Sequence, residues 1–520
     1  MHRYVPLIAV WSLGQVFPIQ AQSPFILRQT PAQPLSTYFQ RSIPLPNGEL
    51  WWVFGTWESG TTPMLSRVHL RKMDGAGQVL ATNDLLLPPM APVWQIRNIT
   101  VMPGGGVALV GSGGWQGMYL GFDPSGYLQT ARTFDFGTST TFDDVAPLDN
   151  GDGTIVGYSD SYAVQLRIDA QGNLLSAWSD RFGNDKGAHH LLRASDDGGM
   201  LVVGQELTPQ GPVSLYAIKL DSAANVQWAE RFDGPAATAL DAVRLTNGGW
   251  AMVSLKQTGP TPLHAGPWLL MLDPLGQVTH QARFWPGPYE DSYGYASGLT
   301  ENGNGHLLLT GQCNPGGTFL IDAGMSAVAD TVRWLPQTGG TSGMHGTALA
   351  NDDLLLNYLH YDSVLARNIP VLARWDPAAL HPCGEHRDTL YTDTLAYTLT
   401  TGVVRTPISA TTTDILAQVV HDTITWTSAA PCLNTAIAEP HVAHMNGSAL
   451  FPNPADVWVW LSGTADAERM ELIDPSGRTF GEWKSPVPDQ LSVAHLPNGL
   501  YTLRIADHHR VQSLRLMVMH

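Results

Sequence analysis

The sequence predicts an all-β protein, a β-propeller of about seven blades followed by a small β-sandwich. Three observations lead to this prediction. A unit of roughly fifty residues recurs through most of the 520-residue chain. Each copy contains four short apolar or alternating runs between turn-forming residues, which is typical of four antiparallel strands. The final segment, 450–520, again contains short strands and turns but lies outside the repeat.

The composition fits many short strands joined by turns. The chain contains 52 Gly and 37 Pro, and only 14% of its residues are charged. Its formal net charge is −17, and no dense run of Lys and Arg interrupts this acidic character. Because binding to a phosphate backbone needs clustered basic residues, nucleic acid is not an expected partner.

Residues 1–21 are predicted to be a secretory signal peptide. A weakly basic start (His2 and Arg3) precedes the nearly uncharged apolar run Tyr4–Phe17, and Ala21 supplies a small residue for cleavage. Export is therefore expected. No later run is long enough to be a transmembrane helix, so no transmembrane segment is expected in the mature protein.

The repeats are predicted to build a propeller domain over residues 22–400. An Asp recurs at the turn after the third strand, where its carboxylate can accept a hydrogen bond from the backbone N–H two residues on. These residues are Asp74, Asp123, Asp169, Asp221, Asp273, Asp322 and Asp376. Seven copies predict seven blades. Six or eight blades stay open, because a terminal strand could complete a blade.

Two further patterns recur in the same register. An uninterrupted apolar run, often ending in Gly, predicts a second strand that is buried on both faces; Val107–Gly111 and Met200–Gly204 are examples. An Arg–aromatic pair such as Arg231-Phe232 ends the fourth strand, where the aromatic ring is expected to pack between sheets.

With these motifs, the stretch from about Tyr38 to Thr400 resembles the secreted propeller-repeat proteins of bacteria. The resemblance implies a β-propeller fold. It does not indicate an activity, because that repeat family hosts many unrelated functions.

After the repeats, residues 401–433 are predicted to add strands that close the propeller. The stretch Asp388–Trp426 is rich in Thr and β-branched residues and has few glycines. A linker is predicted at 434–449, which contains Pro440 and the run Asn446-Gly447-Ser448.

The chain has three cysteines, Cys313, Cys383 and Cys432. In an oxidising compartment, the preferred disulfide joins Cys383 to Cys432, which bracket the segment after the repeats. Cys313 is then a thiol within a strand.

Residues 450–520 contain three short motifs in a fixed order. The first is Pro452-Asn453-Pro454, the second is the turn from Asp474 to Gly477, and the third contains Gly499 and Tyr501. In this order they resemble the type A C-terminal sorting domains of the type IX secretion system. The resemblance implies an immunoglobulin-like sandwich, export to the surface of a Bacteroidota cell, and the secretion translocon as a partner. The usual basic end of such domains is only partly present, at Arg515. An unrelated accessory sandwich is the alternative.

No catalytic, cofactor-binding or metal-binding residue is predicted. The nucleophile elbow, the HExxH helix and the P-loop are missing. Ser195–Gly199 matches only the first half of the turn that sialidase-type propellers carry. Asp149–Gly153 leaves calcium open as a minority alternative, although the required bidentate Glu does not follow it. The histidine pairs, including His189-His190, are predicted to lie on the surface, with the two adjacent rings on opposite faces of the strand.

The leading hypothesis is a non-catalytic binding or adhesion protein for a glycan or a protein, which binds with loops on one propeller face. Aromatic residues suit sugar binding, although most of them, such as Trp51, Trp52 and Trp94, are expected to pack in the core. The alternatives are a hydrolase or lyase that uses carboxylates in the central channel, and a structural envelope protein. Convergent carboxylates of raised pKa would favour an enzyme.

Overall fold

The predicted all-β fold is confirmed, and the repeated antiparallel sheets are propeller-like. In the computed structural model, the described residues are 25–518 except 59–64, 90–93, 161, 183–185, 196, 208–213, 234–236, 258–264, 286–292, 315–316, 328, 330, 336–340, 363–364, 378–385, 394–396, 430–448, 452–457, 463–467, 475–477, 489 and 507–510. The predicted signal peptide lies outside them. No helix in this part of the chain is long and apolar enough to cross a membrane.

The strands of the repeats follow one another in chain order. They are β1 (Phe25–Pro31), β2 (Leu35–Pro44), β3 (Leu50–Glu58), β4 (Ser66–Met73), β5 (Val79–Leu86), β6 (Gln95–Val101), β7 (Val107–Gly113), β8 (Gln116–Phe122), β9 (Leu128–Asp135), β10 (Thr140–Pro147), β11 (Gly153–Ser159), β12 (Tyr162–Ile168), β13 (Leu174–Arg181), β14 (Lys186–Ala194), β15 (Met200–Leu207), β16 (Ser214–Leu220), β17 (Val226–Asp233), β18 (Ala237–Arg244), β19 (Trp250–Gln257), β20 (Ala265–Leu272), β21 (Val278–Trp285), β22 (Tyr293–Glu301), β23 (Leu307–Asn314), β24 (Gly317–Ala323), β25 (Thr331–Leu335), β26 (Thr341–Ala348), β27 (Leu354–Asp362) and β28 (Arg367–Trp375).

Each repeat forms an antiparallel meander, and the N-terminal strand completes the last one. From β2 onward, every four consecutive strands pair in order, and β20 also meets β22 through a single parallel pairing. The last repeat supplies only β26, β27 and β28; β1 pairs with β28 as the fourth strand. The first strands of successive repeats contact one another, and β26 contacts β2. The first strands therefore form a closed circuit.

Burial follows the position of each strand in its meander. The second strand β11 and the third strand β16 are buried almost throughout, because neighbouring sheets cover both of their faces. The fourth strand β13 alternates between buried and accessible residues. Phe182 and Phe232, the aromatic residues of the Arg–aromatic pairs, belong to the cores between sheets, as predicted.

The turn after the third strand has the predicted chemistry in most repeats. The Oδ1 atom of Asp74 accepts hydrogen bonds from the backbone N–H groups of Ala76 and Gln78, and Gly77 has a φ of 85°. Asp123, Asp169 and Asp273 repeat this pattern. The sixth repeat differs from the prediction. Asp322 lies within β24 and contacts His306, and Gly324 occupies the first turn position. The Leu/Ile-Asp pattern placed this turn two residues too early, because β24 continues to Ala323.

The segment after the repeats forms a peripheral belt, residues 386–429. Its strands are β29 (His386–Thr389), β30 (Tyr391–Asp393), β31 (Thr398–Thr401), β32 (Val404–Pro407), β33 (Thr411–Asp414), β34 (Val420–Asp422) and β35 (Trp426–Ala429), with one 3-10 turn, Leu416–Gln418. Each belt strand pairs with the outermost strand of a different repeat. In chain order the partners are β25, β21, β17, β13, β9, β5 and β1. The belt thus runs once around the circuit in the direction opposite to the repeats, and it does not close the last repeat alone.

Ion pairs fasten the belt to the sheets. Asp422 pairs with Arg67 of β4 at 2.7 Å, Asp414 pairs with Arg132 of β9, and Arg405 pairs with Asp180 of β13 at 3.2 Å. The ring of Trp426 packs edge-on against His69, which is fully buried. The belt therefore covers otherwise unpaired sheet edges and part of the core.

The described residues of 432–520 form a second compact unit, separate from residues 1–431. Its strands are β36 (Ala449–Phe451), β37 (Trp458–Ser462), β38 (Arg469–Ile473), β39 (Thr479–Lys484), β40 (Gln490–Ser492), β41 (Gly499–Ala506) and β42 (Val511–Val518). They form two antiparallel sheets, ordered β36-β37-β40 and β39-β38-β41-β42. Residues from both sheets, among them Val459 and Leu503, share one hydrophobic core.

Candidate functional site

The first strand of every repeat is interrupted by a β-bulge at the same place. The extra residues are Tyr38, Arg97, Asp143, His190, Leu240 and Ser297, and the last repeat has two, Gly343 and Met344. A bulge bends the strand and redirects the side chains beside it, and bulges are common next to functional sites. Here the residues that follow the bulges line a central cavity.

A glycine opposite the bulge makes this geometry possible in several repeats. Gly111 pairs with Ile96 and Gly157 pairs with Phe142, the last residues before the bulges of β6 and β10. A Cβ atom at either glycine would lie 1.9 Å from a carbonyl oxygen of the first strand. In these two repeats the bulged strand therefore leaves no room for a side chain at the glycine that ends the apolar second-strand run.

The cavity enclosed by the first strands has a volume of about 310 Å³. Its charged and amide groups come from two positions of the strand, and alternate strand residues point to the same side. Asn98, Asp144, Asp241 and His345 directly follow a bulge, whereas Arg41 and Arg193 lie two residues further along. Six side chains from six strands thus converge on one space.

Arg193 is held between two buried aspartates. Its guanidinium donates to Asp144 at 2.9 Å and to Asp241, and its Nε donates to the carbonyl oxygen of Ala242. Asp144 also accepts hydrogen bonds from Asn98 Nδ2 at 2.7 Å and from the N–H of Val145. Both aspartates are almost fully buried, so this trio is a rigid part of the cavity wall.

Asp241 also has partners besides Arg193. It accepts hydrogen bonds from the backbone N–H groups of Ala242 and Leu299, both at 2.8 Å, in addition to Arg193. His345 Nε2 lies 3.3 Å from its Oδ2 atom. Since the oxygens of both aspartates already accept charged or backbone donors, neither carboxylate is available as a general base without breaking an ion pair.

Two groups in the cavity wall keep hydrogen-bonding capacity. Within the described part of the chain, the guanidinium of Arg41 makes no hydrogen bond or ion pair, and His345 Nδ1 is buried without a hydrogen-bond partner. Burial lowers the pKa of Arg41; Arg193 acts in the same direction, whereas Asp241 and Asp144 oppose the shift. A guanidinium remains charged at physiological pH. Arg41 therefore offers a charged donor to a ligand.

Three residues of the C-terminal motifs lie in described turns or strands. Asp474 forms the turn between β38 and β39, where its Oδ1 atom accepts from the N–H of Arg478 at 2.9 Å. Tyr501 is buried in β41, and its hydroxyl donates to the carbonyl oxygen of Pro497 at 2.9 Å. Gly499 begins β41 without a positive φ, so the flexibility of glycine is not required there. Pro452, Asn453, Pro454 and Gly477 lie outside the described residues.

The structure describes one of the three cysteines and both of the adjacent histidines. Cys313 is buried in the core of the fifth and sixth repeats, whereas Cys383 and Cys432 lie outside the described residues. His189 and His190 do point to different surroundings, Asp180 and Asp143 respectively. The predicted surface position is wrong for His189, which is fully buried against Asp180 and Tyr216. The bulge residue of this strand is His190, and His189 stays in the paired, buried part of the strand.

The possible calcium loop at 149–153 is an ordinary turn between β10 and β11. Asn150 donates to Asp152 at 2.8 Å and accepts from its N–H. Across the described ranges, no group of three or more His, Cys, Asp or Glu side chains is placed to hold a metal ion.

A second concave surface lies between the second and third repeats. Tyr162 is 41% exposed there, and the guanidinium carbon of Arg181 lies 4.1 Å from the centre of its ring. Thr138, Ser159 and Thr406 add hydroxyl groups to the same groove of about 730 Å³. Trp115, at the tip of the β7–β8 hairpin, is 62% exposed, whereas Trp51, Trp52 and Trp94 are buried as predicted.

The sequence alone missed the central cavity. Its six polar residues are scattered over 305 positions and belong to no short motif. The glycine that ends the second strand was visible in the sequence, and it marks the bulge opposite. That signal would have located only part of the cavity wall. Ser254 replaces the glycine opposite the bulge that precedes Asp241, and in the last repeat Asn357, not a glycine, ends the apolar run and pairs with His345.

No protein-family model and no curated protein matches this chain. Solved structures align with it at low TM-scores and low sequence identity. A protein of unknown function from Dyadobacter fermentans aligns with a TM-score of 0.44 and 11% identity over 68% of this chain and 98% of its own. Drosophila Plexin A, solved in complex with Semaphorin 1b, aligns with a TM-score of 0.38 and 8% identity over 70% and 89%. A hypothetical protein from Leishmania major aligns over 47% and 88% with 13% identity and a TM-score of 0.25.

Proposed function

We propose that this chain is a secreted or cell-surface propeller protein of seven blades that binds a glycan or protein ligand without catalysing a reaction. The closed circuit of first strands and the completion of the last meander by β1 support seven blades. The central cavity is the proposed ligand site.

One observation supports binding over catalysis. The two carboxylates in the cavity, Asp144 and Asp241, are both bound to Arg193 and to backbone N–H groups. A hydrolase or lyase would need one of them as an acid or base, and proton transfer would cost the ion pair. A fixed polar wall with donors left over suits recognition of a ligand.

A glycan-array experiment tests the proposal. The mature protein, residues 22–520, is compared with the variant Thr100→Trp, whose indole would fill part of the cavity that Thr100 lines. We expect the wild type to bind a defined set of glycans and the variant to lose that binding while melting at a similar temperature. Turnover of a bound glycan would contradict the absence of catalysis. Binding to no glycan or extracted surface protein would favour the structural envelope alternative.

The exposed aromatic surface supports a second candidate site. Trp115 and Tyr162 lie on hairpins of neighbouring repeats, and the N–H of Thr140 in β10 binds the carbonyl oxygen of Trp115 at 3.0 Å. Exposed aromatic faces can stack on sugar rings, which is the kind of site that the loop-face hypothesis requires. If glycan binding uses this surface, Trp115→Ala weakens it and Thr100→Trp does not. The two variants therefore assign the ligand to one site.

We further propose that residues 450–520 are an immunoglobulin-like sorting domain for type IX secretion. The two-sheet core supports the sandwich. The hydrogen bond from the Tyr501 hydroxyl to Pro497, four residues upstream, is the contact known as a tyrosine corner in immunoglobulin-like domains. The proposed route passes through the periplasm to the cell surface, with the translocon as partner.

A reporter fusion tests the sorting proposal. Residues 435–520 are attached to a signal-bearing reporter in a host that has the translocon, and a fusion that lacks residues 450–520 is the control. The reporter should reach the surface only with the domain attached. A periplasmic reporter, in cells that export a known cargo normally, would rule out the assignment.

A further inference from the structure

We propose that the ligand of the central cavity is a small hydroxylated monocarboxylate, such as a sugar acid, whose carboxylate binds Arg41. This inference rests on the proposed function, because it names the ligand of the same site. It goes beyond that proposal in assigning a charge, a size and an anchoring residue.

Arg41 is assigned as the anchoring residue because the two arginines of the cavity differ in their partners. Arg193 is committed to Asp144 and Asp241, whereas the donors of Arg41 have no acceptor within the described chain. A guanidinium in a partly desolvated space binds a planar carboxylate through two parallel hydrogen bonds, which is stronger than its contact with a neutral oxygen. Arg41 is therefore a binding residue for an oxyanion.

The rest of the wall limits the charge of the ligand. Arg193 with its two aspartates carries one net negative charge, since one cation faces two carboxylates. A second anionic group on the ligand would approach this trio and be repelled. Neutral hydroxyl groups suit this side of the cavity, where Thr100, Thr347 and the unpartnered Nδ1 atom of His345 can exchange hydrogen bonds with them.

The size of the cavity agrees with a ligand of this kind. A volume of about 310 Å³ lies at the lower end of the range for small-molecule sites. A monosaccharide fits such a volume, whereas a folded peptide segment does not. Of an acidic oligosaccharide, only one sugar unit would fit inside the cavity.

Ligand-observed NMR titration with glucuronate and glucose tests the inference, because the two probes differ in the carboxylate alone. We expect the full chain to bind glucuronate about 10- to 100-fold more tightly than glucose. Arg41→Gln should remove that preference, and Arg41→Lys, which keeps the charge but loses the planar fork, should retain part of it. Arg97→Gln is the matched control, since Arg97 is the bulge residue of β6 and does not line the cavity; it should bind as the wild type does.

The possible outcomes separate the two proposals. Equal binding of glucose and glucuronate, both lost in Thr100→Trp, would overturn the assigned charge and leave the cavity as the binding site. Tighter binding of inorganic phosphate than of glucuronate would overturn the monocarboxylate. Glucuronate binding that survives both Arg41→Gln and Thr100→Trp would remove the ligand from the cavity and contradict both proposals. Melting curves of each variant show whether a loss of binding reflects unfolding.

Discussion

At the scale of single residues, the ion pairs of the cavity wall also hold first strands of different repeats together. Arg193 of β14 contacts Asp144 of β10 and Asp241 of β18. We expect Arg193→Met to lower the free energy of unfolding by about 3 kcal/mol, because it leaves two buried carboxylates without their cation. Urea denaturation measures the change.

The control is Arg132→Met, which removes an ion pair with the exposed Asp414 and should cost less than about 1 kcal/mol. Adding Asp144→Asn and Asp241→Asn to Arg193→Met should restore part of the lost stability. A triple variant as unstable as the single one would show that charge is not the cause.

A second residue-scale prediction concerns the dependence of stability on pH. Burial lowers the pKa of His69; Arg71 and Arg67 act in the same direction, and the contact with Asp84 opposes them. Burial also lowers the pKa of His189. A folded-state pKa below the unfolded value of about 6.5 means that the unfolded chain binds the proton more readily. The stabilisation is complete above that value and is lost as the pH falls.

The melting temperature should therefore fall between pH 7.5 and pH 5. His69→Gln should make this fall shallower, although it also lowers stability at pH 7.5 by disrupting the contacts with Thr56 and Asp84. His306→Gln is the control, because His306 is half-exposed. A pH profile of His69→Gln parallel to that of the wild type would contradict the assignment to this histidine.

At the scale of the strand, the bulge and the glycine opposite act as one element. A Cβ atom at Gly157 would lie 1.9 Å from the carbonyl oxygen of Thr141, whereas at Gly153 of the same strand its nearest neighbour is a side-chain atom of Ile168 at 3.3 Å. We expect Gly157→Ala to destabilise the protein by about 1–3 kcal/mol and to weaken cavity binding, because Asp144 follows the displaced bulge. Gly153→Ala should change both much less.

Denaturation and ligand titration of the two variants provide the measurement. A Gly157→Ala protein with normal stability and normal binding would show that the bulge relaxes easily and does not position Asp144.

The sequence could predict those elements whose hydrogen bonds join residues close together in the chain. The Asp turns were predicted correctly because their hydrogen bonds join residues two and four positions apart, as at Asp74. The error at Asp322 was a local one, since the length of β24 sets the turn. The belt pairings and the cavity could not be predicted from local pattern. Thr401 pairs with Glu230, and Arg193 with Asp144, only because the closed circuit brings distant segments together.

At the scale of the whole molecule, the belt and the second unit should contribute differently to stability. A chain ending at residue 433 keeps every belt strand and Cys432, so its repeats should melt at nearly the same temperature as in the full protein. A chain ending at residue 385 exposes the outer edge of every sheet and loses the contacts of Trp426 and Asp422. It should melt at a lower temperature and associate through the open edges.

Differential scanning calorimetry and light scattering compare the two truncations. If the chain ending at 385 is as stable and as monomeric as the chain ending at 433, the belt is dispensable for folding.

The course of the belt also has a topological consequence. Its first strand, β29, begins three residues after Cys383, and its last, β35, ends three residues before Cys432. These strands lie on the sheets of adjacent repeats. The predicted disulfide between the two cysteines would convert the belt into a covalent hoop around the sheets. Outward separation of the blades would then require the hoop to slip off or a bond to break.

Such a hoop should add about 4 kcal/mol of stability and should slow unfolding far more than it speeds folding. Non-reducing peptide mapping should find Cys383 joined to Cys432, and a bridge that includes Cys313 would exclude the hoop. If the protein is exported as proposed, no cytoplasmic chaperone can refold it, and the lifetime of the closed hoop would then set the lifetime of the folded state.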